Sequence, residues 1–454
     1  MKSIRMTPEH LEMLRESLLS DAPAEAAGFL LAGWFRTDSG LHFVVREVMI
    51  PQSKDYDVQG ELRLQVSPIF FNRVISRAER EGLTVILCHT HPFSDGAWFS
   101  PADDYGEAIS AKTLYDCLDA RPCASLVLDP VSIAARVWRS PDRPPEPIDE
   151  VRVVGRRFAR LPLRGGAAPG PALDLDMFSR QVLALGKEGQ AVLSGLKVGI
   201  VGTGGTGSAV AEQLARVGVR DFVLVDPDTF QASNVTRIYG SEAGDVVEAH
   251  TAKVAIVKRG IVRIAPEATV HDIVGTVVDQ GTLAVLSDCD VIFSCVDRHA
   301  PRSVLNEVAY QRFIPVIDVG VGLSTEGGTI TGGSVRATLV GPGLPCLYDY
   351  GIVRPEAIAA ELLPEEVRRG RQLEGYVPSL ADPAPSVIAF TTMAASLGVA
   401  ALLDLLFTIL GEGAPNFLLE LVPLRMSRIG TKARADCVCR MRMGRGDAIP
   451  ISAP

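Results

Sequence analysis

The second half of the chain is organised around residues 197–228, KVGIVGTGGTGSAVAEQLARVGVRDFVLVDPD. An apolar run beginning at Val198 predicts a buried parallel strand, and a glycine-rich turn follows it. An amphipathic segment extends to about Val217, and a second apolar run ends at Asp226. The order strand, glycine turn, helix, strand over roughly thirty residues predicts one unit of a Rossmann-like α/β sheet.

The same turn predicts a nucleotide site. The glycines of the turn are Gly202, Gly204, Gly205 and Gly207. Because they have no side chains, backbone N–H groups can approach a phosphate at the helix N-terminus. Asp226, at the end of the following strand, is placed to hold a ribose hydroxyl. An ordinary glycine-rich turn of an α/β domain is the alternative, and it leaves this acid unexplained.

Length and composition narrow the class of protein. A chain of 454 residues with 47% hydrophobic residues predicts two or three globular domains. The net charge of −9 gives no electrostatic reason to expect a nucleic-acid partner. Eight scattered cysteines, and a first stretch without a signal-peptide pattern, predict a cytoplasmic protein.

One uncharged stretch, 383–403, is long enough to span a membrane. It contains Pro, Ser, Thr and many Ala, and it lacks flanking basic residues and an aromatic belt. We therefore expect a buried or oligomer-facing helix and no membrane partner.

Two histidines end the apolar strand segment 83–92, LTVILCHTHP. His89 and His91 are two residues apart on a strand, so both imidazoles project from one face. Histidine pairs on rigid backbone are common zinc ligands, and Asp103 can supply an oxygen. Three protein ligands and a water are typical of a catalytic zinc site. The alternative is a pair of hydrogen-bonded loop histidines.

Two further residues bear on this site. Glu25 can take a proton from a zinc-bound water. Ser100 either caps the helix that carries Asp103 or donates to a developing oxyanion.

Together these motifs resemble the JAMM/MPN (JAB) metalloproteases, which include isopeptidases acting on ubiquitin-like proteins. The resemblance covers about residues 1–165 and rests on three motifs, namely Glu25 with Gly28, His89-Thr90-His91-Pro92 and Ser100-Pro101-Ala102-Asp103. It implies an α/β metalloprotease domain in which His89, His91 and Asp103 bind Zn²⁺. Glu25 would be the general acid/base, and Ser100 would stabilise the tetrahedral intermediate. The spacing from His91 to Ser100 is about one residue longer than the commonest form of the motif.

A Pro- and Gly-rich linker between two domains is predicted at 166–175. The chain after this linker contains charged residues that could bind a triphosphate. Arg180, Arg237 and Lys253 can neutralise phosphates, and Asp297 can hold Mg²⁺ through an oxygen. For any one of these residues alone, ordinary surface charge is the alternative.

With GTGGTG in front of them, these residues resemble the ThiF/ubiquitin-activating superfamily of adenylyltransferases. The resemblance runs over about residues 176–425, through VDPDTFQASNVTR, the Lys253 helix and SCVDRHAPR. It implies a Rossmann-like adenylation domain at 176–430, with a tail at 431–454. Attack of a protein's C-terminal carboxylate on the α-phosphate of ATP would give an acyl-adenylate and pyrophosphate.

The resemblance also implies individual roles. Asp226 would bind the ribose of ATP, and Asp228 would assist metal or phosphate binding. The residues acting at the phosphates and Mg²⁺ would be Asn234, Arg237, Lys253 and Asp297. Arg180 would reach across a homodimer to the partner's site.

Cysteines depart from the pattern of many relatives, which hold a structural zinc with two CxxC pairs. Cys346, Cys437 and Cys439 do not make that four-ligand site, so we expect no structural zinc there. A thioester-forming cysteine is missing from the segment before the apolar helix. Two other residues are candidate nucleophiles, Cys346 and Ser379. The alternative for Cys346 is a vestigial zinc ligand or a buried thiol. A third possibility is that the enzyme stops at the adenylate.

The leading hypothesis is a bifunctional enzyme of a prokaryotic ubiquitin-like conjugation system. One half would adenylate the C-terminal glycine of a β-grasp protein, and the other would cleave after that glycine. A conjugating enzyme would be a further partner. The first alternative is activation and trimming of a ThiS- or MoaD-like sulfur carrier. An NAD-dependent oxidoreductase and a non-catalytic scaffold are alternatives of other classes.

Overall fold

A computed structural model describes most of the chain. The described residues are 1–61, 63–92, 96–161, 163, 174, 176–246, 250–364, 366–367 and 384–451. Of the predicted linker only Asp174 is among them, and Ser379 lies outside them. The chain divides into two compact units. The first contains Met1–Ala168, Tyr310–Phe313 and Met441–Ile451, and the second contains Pro169–Ala309 and Ile314–Arg440.

The first unit is built on a nine-stranded mixed sheet. Its strands are β1 (Lys2–Met6), β2 (Ala27–Arg36), β3 (Leu41–Met49), β6 (Thr84–Thr90), β7 (Cys123–Leu128), β8 (Ile133–Trp138), β9 (Glu146–Pro147), β10 (Glu150–Val154) and β11 (Phe158–Leu161). They follow the order β11-β10-β1-β3-β2-β6-β7-β8-β9. A separate hairpin pairs β4 (Tyr56–Gln59) with β5 (Leu64–Val66).

Three helices cover the two faces of this sheet, namely α1 (Pro8–Leu19), α2 (Pro68–Glu81) and α3 (Pro101–Cys117). On one face, Leu14 and Leu18 of α1 pack against Leu30 and its neighbours. On the other, α2 and α3 pack against Phe29 and Leu31. Because successive residues of β2 point to opposite faces and both faces are covered, this strand is apolar without alternation. The unit is therefore an α/β layered structure.

A segment from the far end of the chain completes the first unit. The Gly33 amide of β2 donates to the Gly444 carbonyl at 3.0 Å. A Cβ at Gly33 would lie 2.2 Å from the backbone carbon of Arg445, so only glycine fits there. Arg445 in turn forms an ion pair with Glu81 at 2.6 Å. The predicted tail 431–454 thus contains residues that belong to the first unit.

The second unit holds an eight-stranded sheet of order β14-β13-β12-β15-β16-β17-β18-β19. The strands are β12 (Lys197–Val201), β13 (Asp221–Val225), β14 (Thr269–Ile273), β15 (Val291–Ser294), β16 (Val316–Glu326), β17 (Thr329–Val340), β18 (Asn416–Leu421) and β19 (Leu424–Arg428). Five neighbouring strands of this sheet, β14, β13, β12, β15 and β16, pair in parallel. The pairs β16–β17, β17–β18 and β18–β19 are antiparallel. The predicted unit at 197–228 is the β12–α5–β13 part of this sheet, which confirms the Rossmann-like α/β class.

The helices of the described residues from 174 onwards are α4 (Ser179–Ser194), α5 (Gly205–Val217), α6 (Lys253–Ile264), α7 (Gln280–Leu286), α8 (His299–Gln311), α9 (Pro355–Glu361), α10 (Ile388–Phe407) and α11 (Val438–Arg442). Among the described residues, α10 alone is long and apolar enough to cross a membrane, and half of its most apolar stretch is buried. It packs against α5, β16 and β17. That packing is what we expect of a helix with one face in a protein core.

Candidate functional sites

The first unit brings the predicted zinc ligands together at the end of β6. His89 Nε2 lies 3.2 Å from Asp103 Oδ1, and His91 Nε2 lies 3.5 Å from Asp103 Oδ2. One ligand atom from each residue lies within 4.8 Å of the others. Zinc–ligand bonds of about 2.0–2.2 Å require only a small contraction of this set, and the three side chains leave a fourth position open. The donor set therefore fits one Zn²⁺.

Ser100 fixes the Asp103 carboxylate through a capping box at the start of α3. The Asp103 amide donates to Ser100 Oγ at 3.2 Å, and the Ser100 amide donates to Asp103 Oδ2 at 2.6 Å. The cap uses only a lone pair of the hydroxyl, so its proton can still be donated. Both functions considered for Ser100 are thus compatible with one conformation.

Glu25 borders the same cluster. Its Oε1 lies 3.9 Å from His91 Nε2. Burial raises the pKa of Glu25, the nearby His89 opposes this, and the charge of Asp103 adds to it. A carboxyl group with a raised pKa accepts a proton more readily than an ordinary one and can still return it.

Sequence reasoning missed Glu107, which stands behind His89. Its Oε1 lies 3.8 Å from His89 Nδ1. Its Oε2 accepts from Arg136 at 2.7 and 2.9 Å, and the Arg136 guanidinium stacks on Phe99 at 3.8 Å. Burial would lower the pKa of His89, but Asp103, Glu107 and Glu25 together raise it. The position of Glu107, four residues after Asp103 on α3, places both carboxylates on one helix face and is the signal that would have found it.

In the second unit, the glycine-rich turn joins β12 to α5. Gly202 has φ +87°, and a Cβ at Gly207 would lie 1.8 Å from the Gly202 carbonyl oxygen. The turn therefore closes only with glycine at these positions. Gly204 is the residue before α5, so the unpaired N–H groups of the first helical turn lie at this site.

Asp226 holds the turn in place. Its Oδ2 accepts from the Thr203 amide at 2.6 Å and from Thr203 Oγ1 at 3.2 Å, and its Oδ1 accepts from the Asp228 amide at 2.9 Å. Carboxylate oxygens have further lone pairs, so these contacts leave capacity for a ribose hydroxyl. The ribose role stays a prediction.

The other predicted phosphate residues gather at the same edge of the sheet. Lys253 begins α6, and its Nζ lies 2.6 Å from Asp228 Oδ2. The stem of Arg237 lies 3.3 Å from a Cβ built at Gly205, over the start of α5. Asn234 is buried and caps a short 3₁₀ turn, and Asp297 is exposed just after β15. Since the carboxyl ends of parallel strands meet at one edge, these residues can surround one nucleotide.

Arg180 is placed differently. The neighbouring Gln181 donates to the Arg216 carbonyl at 3.1 Å, and Phe178 packs on Gly218. Both contacts lie at the C-terminal end of α5, whereas the glycine turn lies at its other end. A helix of 13 residues is about 20 Å long, so the structure does not bring Arg180 to the turn of its own chain.

The three cysteines of the second unit form a buried cluster. The sulfurs of Cys346, Cys437 and Cys439 lie within 4.8 Å of one another, and Cys346 Sγ is 3.4 Å from Cys437 Sγ. The sequence predicted no usual four-ligand site, yet three thiols that can hold a metal do meet. The contact with Cys439 and burial raise the pKa of Cys346, which disfavours it as a nucleophile.

The family comparison concerns the second unit. Residues 178–439 match the ThiF family. The SAMP-activating enzyme E1 of Haloferax volcanii is 30% identical over 196 residues, or 43% of this chain and 67% of that protein. The molybdopterin-synthase adenylyltransferase of Escherichia coli is 29% identical over 152 residues, or 33% of this chain and 59% of that protein.

The crystal structure of E. coli MccB with ATP is 19% identical, with a TM-score of 0.45 over 58% of this chain and 74% of that one. Of the curated relatives, the E. coli molybdopterin-synthase adenylyltransferase is matched over 59% of its length, which is less than two thirds. The family match nevertheless covers more than half of the 454 residues and contains the whole nucleotide site described above. The chain belongs to the ThiF family.

Proposed function

We propose that the second unit adenylates the C-terminal carboxylate of a ubiquitin-like or sulfur-carrier protein of the β-grasp type, with ATP and Mg²⁺. Membership of the ThiF family is the observation that carries this proposal. The glycine turn, the acid after β13 and the cations around them supply the chemistry that the reaction needs.

The nucleophile, a carboxylate, is already ionised at neutral pH, so the reaction needs no general base. Its oxygen attacks the α-phosphorus, the bond to the bridging oxygen breaks, and pyrophosphate leaves. Catalysis therefore consists of positioning and charge neutralisation. The N–H groups at the start of α5, Arg237 and Lys253 would neutralise the phosphates. Asp297 and Asp228 would hold Mg²⁺, which offsets the charge of the leaving pyrophosphate.

Carrier-dependent ATP–pyrophosphate exchange tests this proposal. The enzyme is mixed with β-grasp proteins encoded next to its gene, and exchange should require both the carrier and its terminal glycine. Asp297→Ala should reduce exchange at least about 100-fold. ATP binding without exchange for any carrier would contradict the proposal. Mass spectrometry of the product, thiocarboxylate or isopeptide, separates the sulfur-carrier and conjugation pathways.

We also propose that the first unit is a zinc-dependent peptidase or isopeptidase that cleaves after the same glycine. The convergence of His89, His91 and Asp103 beside Glu25 favours this second activity. When bound, Zn²⁺ would lower the pKa of a water and polarise the scissile carbonyl. Glu25 would take the proton of that water and pass it to the leaving amine, and the Ser100 hydroxyl would donate to the oxyanion.

Metal analysis and cleavage assays test the two requirements separately. The protein should retain about one zinc at this site, and His89→Ala should lose it. Glu25→Gln should keep the metal but lose cleavage of a carrier fused to a C-terminal peptide. Cleavage that persists in both variants would contradict the assignment.

A further inference from the structure

Three charged side chains meet where the carboxyl end of β15 pairs with the start of β16. Asp318 of β16 is fully buried, and its Oδ1 accepts from Ser294 Oγ at 2.7 Å and from Arg302 Nε at 3.1 Å. Its Oδ2 lies 2.7 Å from Arg336 Nη1. Arg302 is on the first turn of α8 and Arg336 is on β17. We call this the Arg302–Asp318–Arg336 cluster.

The two guanidinium groups converge over Gly320. Gly320 is opposite Arg336 in the β16–β17 register. A Cβ at Gly320 would lie 2.8 Å from Arg336 Nη2 and 3.7 Å from Arg302 Nη2. In the part of the chain that the structure describes, neither Nη2 atom donates to a protein acceptor. The Nη2 atoms of both arginines, each with two N–H donors, thus lie close together on one side of Gly320.

The cluster carries excess positive charge. Burial alone would raise the pKa of Asp318, but the two guanidiniums and Ser294 lower it, so the carboxylate is ionised. One carboxylate then faces two arginines whose side chains are only 12% and 17% exposed. Two guanidinium groups share one carboxylate, so one poorly solvated positive charge is not balanced within the cluster, and a bound anion would balance it.

The cluster lies beside the nucleotide site. Ser294 is the last residue of β15, and Asp297 follows three residues later. The glycine turn contacts the same stretch, since a Cβ at Gly202 would lie 2.6 Å from the Cys295 carbonyl oxygen. An anion held by the cluster would therefore lie across β15 from the phosphate-binding turn.

We propose that Arg302 and Arg336 bind a carboxylate in the C-terminal segment of the protein that is adenylated. The inference rests on the proposed adenylation. A carboxylate has two acceptor oxygens, which matches the convergent Nη2 donors. Its source is either the terminal carboxylate, held against repulsion from the phosphates, or an acidic side chain upstream of the terminal glycine.

Gly320→Ala tests the site without changing its charge. The added methyl group would displace the guanidinium of Arg336, so we expect about ten-fold weaker binding of a fluorescent carrier-tail peptide in the presence of α,β-methylene ATP. Gly322→Ala is the matched control on the same strand, because nothing lies within 4 Å of a Cβ there. ATP affinity should be the same in both variants. Equal peptide affinity in Gly320→Ala and wild type would overturn the proposal.

Arg336→Gln and Arg336→Lys separate binding from folding. Both should weaken peptide binding, with the lysine variant weakened less, while the midpoint of thermal unfolding reports any loss of stability. A lower midpoint with unchanged peptide affinity would mean that the cluster is only structural and would overturn the proposal. Peptide binding without pyrophosphate exchange would contradict the adenylation and leave the binding site standing.

Two peptide variants identify the source of the carboxylate. If the terminal carboxylate is bound, a C-terminal amide should lose affinity in wild type but lose nothing further in Arg336→Gln. If an upstream side chain is bound, a peptide with glutamine in place of the acidic residues of the tail should lose affinity for wild type and lose nothing further in Arg336→Gln. Additive losses for both peptides would overturn the proposal.

Discussion

Lys253 Nζ and Asp228 Oδ2 form an ion pair of 2.6 Å beside the nucleotide site. Lys253 is the first residue of α6, and Asp228 lies three residues after the end of β13. Each partner neutralises the other in the chain without ligand. A triphosphate with its metal offers Lys253 an anion and Asp228 a cation. The two side chains are therefore suited to separate when a nucleotide binds, with Lys253 turning to a phosphate and Asp228 to the metal.

Lys253→Ala should reduce pyrophosphate exchange by at least about 100-fold, because a phosphate charge would lose its partner. Stability should change little, since Asp228 is 63% exposed and such pairs contribute weakly. Lys258→Ala is the matched control, as Lys258 lies on the same helix and pairs with Asp272 at 2.7 Å. Equal pyrophosphate exchange in the two variants would show that Lys253 does not act at the phosphates.

Arg180 yields a prediction about assembly. Because it lies near the far end of α5 from the glycine turn, a role at the phosphates requires a second copy of the chain. Arg180→Ala and Asp297→Ala should each be inactive alone. In a mixture of the two that exchanges subunits, about a quarter of the sites would combine an intact Arg180 with an intact Asp297. The rate of pyrophosphate exchange should therefore recover to about a quarter of the wild-type rate. Absence of this recovery would exclude action of Arg180 across a dimer.

Local patterns predicted the parts of the fold that local forces determine. The apolar run at Val198, the glycine turn and the acid at Asp226 are a strand, a tight turn and a strand end in the structure. The spacing of His89 and His91 on one strand likewise predicted two imidazoles on one side, and the cap at Ser100 brings in Asp103. Each of these features depends on residues only a few positions apart.

Features that the sequence did not predict depend on distant parts of the chain. Arg136 reaches Glu107 across 29 positions, and the contact between Cys346 and Cys437 spans 91. Strand order and helix packing decide such meetings, and neither leaves a periodic pattern in the sequence. The cysteine spacing, which lacks two CxxC pairs, predicted no four-ligand structural zinc, whereas the fold brings three thiols together.

Glu107→Gln should weaken zinc binding in the first unit. The Glu107 carboxylate lies 3.8 Å from His89 Nδ1, and its charge would favour the ring orientation in which Nε2 faces a bound metal. Loss of such a carboxylate partner typically costs about 10–100-fold in metal affinity. Zinc affinity by competition with a chelator, and the visible spectrum of the Co²⁺ form, measure this. Asp104→Asn is the control, because the Asp104 side chain also pairs with Arg136 but is 62% exposed, and in the described part of the chain no ion pair joins it to His89 or His91. Equal zinc affinities would mean that Glu107 only stabilises Arg136.

The cysteine cluster should bind a soft metal ion. Cys346, Cys437 and Cys439 are each less than 5% exposed, and thiolates so close together are better neutralised by one metal than kept as neighbouring charges. Titration with Cd²⁺ should give a sulfur-to-metal charge-transfer band that Cys437→Ser reduces. Cys117→Ser, which changes an exposed cysteine of the first unit, should leave the band unchanged. Absence of the band in reduced wild type would show that the cluster is only packed thiols.

Removal of residues 441–454 should destabilise the first unit. The change takes away Arg445, which pairs with Glu81 at 2.6 Å, and leaves Glu81 paired only with Arg46 and Arg77 among the described residues. It also removes the Gly444 carbonyl that accepts from β2 and the carbonyls of Gly446 and Ile449 that accept from Gln311. Buried donors left without acceptors cost about 1–3 kcal/mol each, so the unfolding transition should move to lower temperature and zinc retention should fall. A chain ending at Ile451 is the control, because it keeps every one of these contacts. If both chains unfold together, the segment at 441–451 adds nothing to the stability of the first unit.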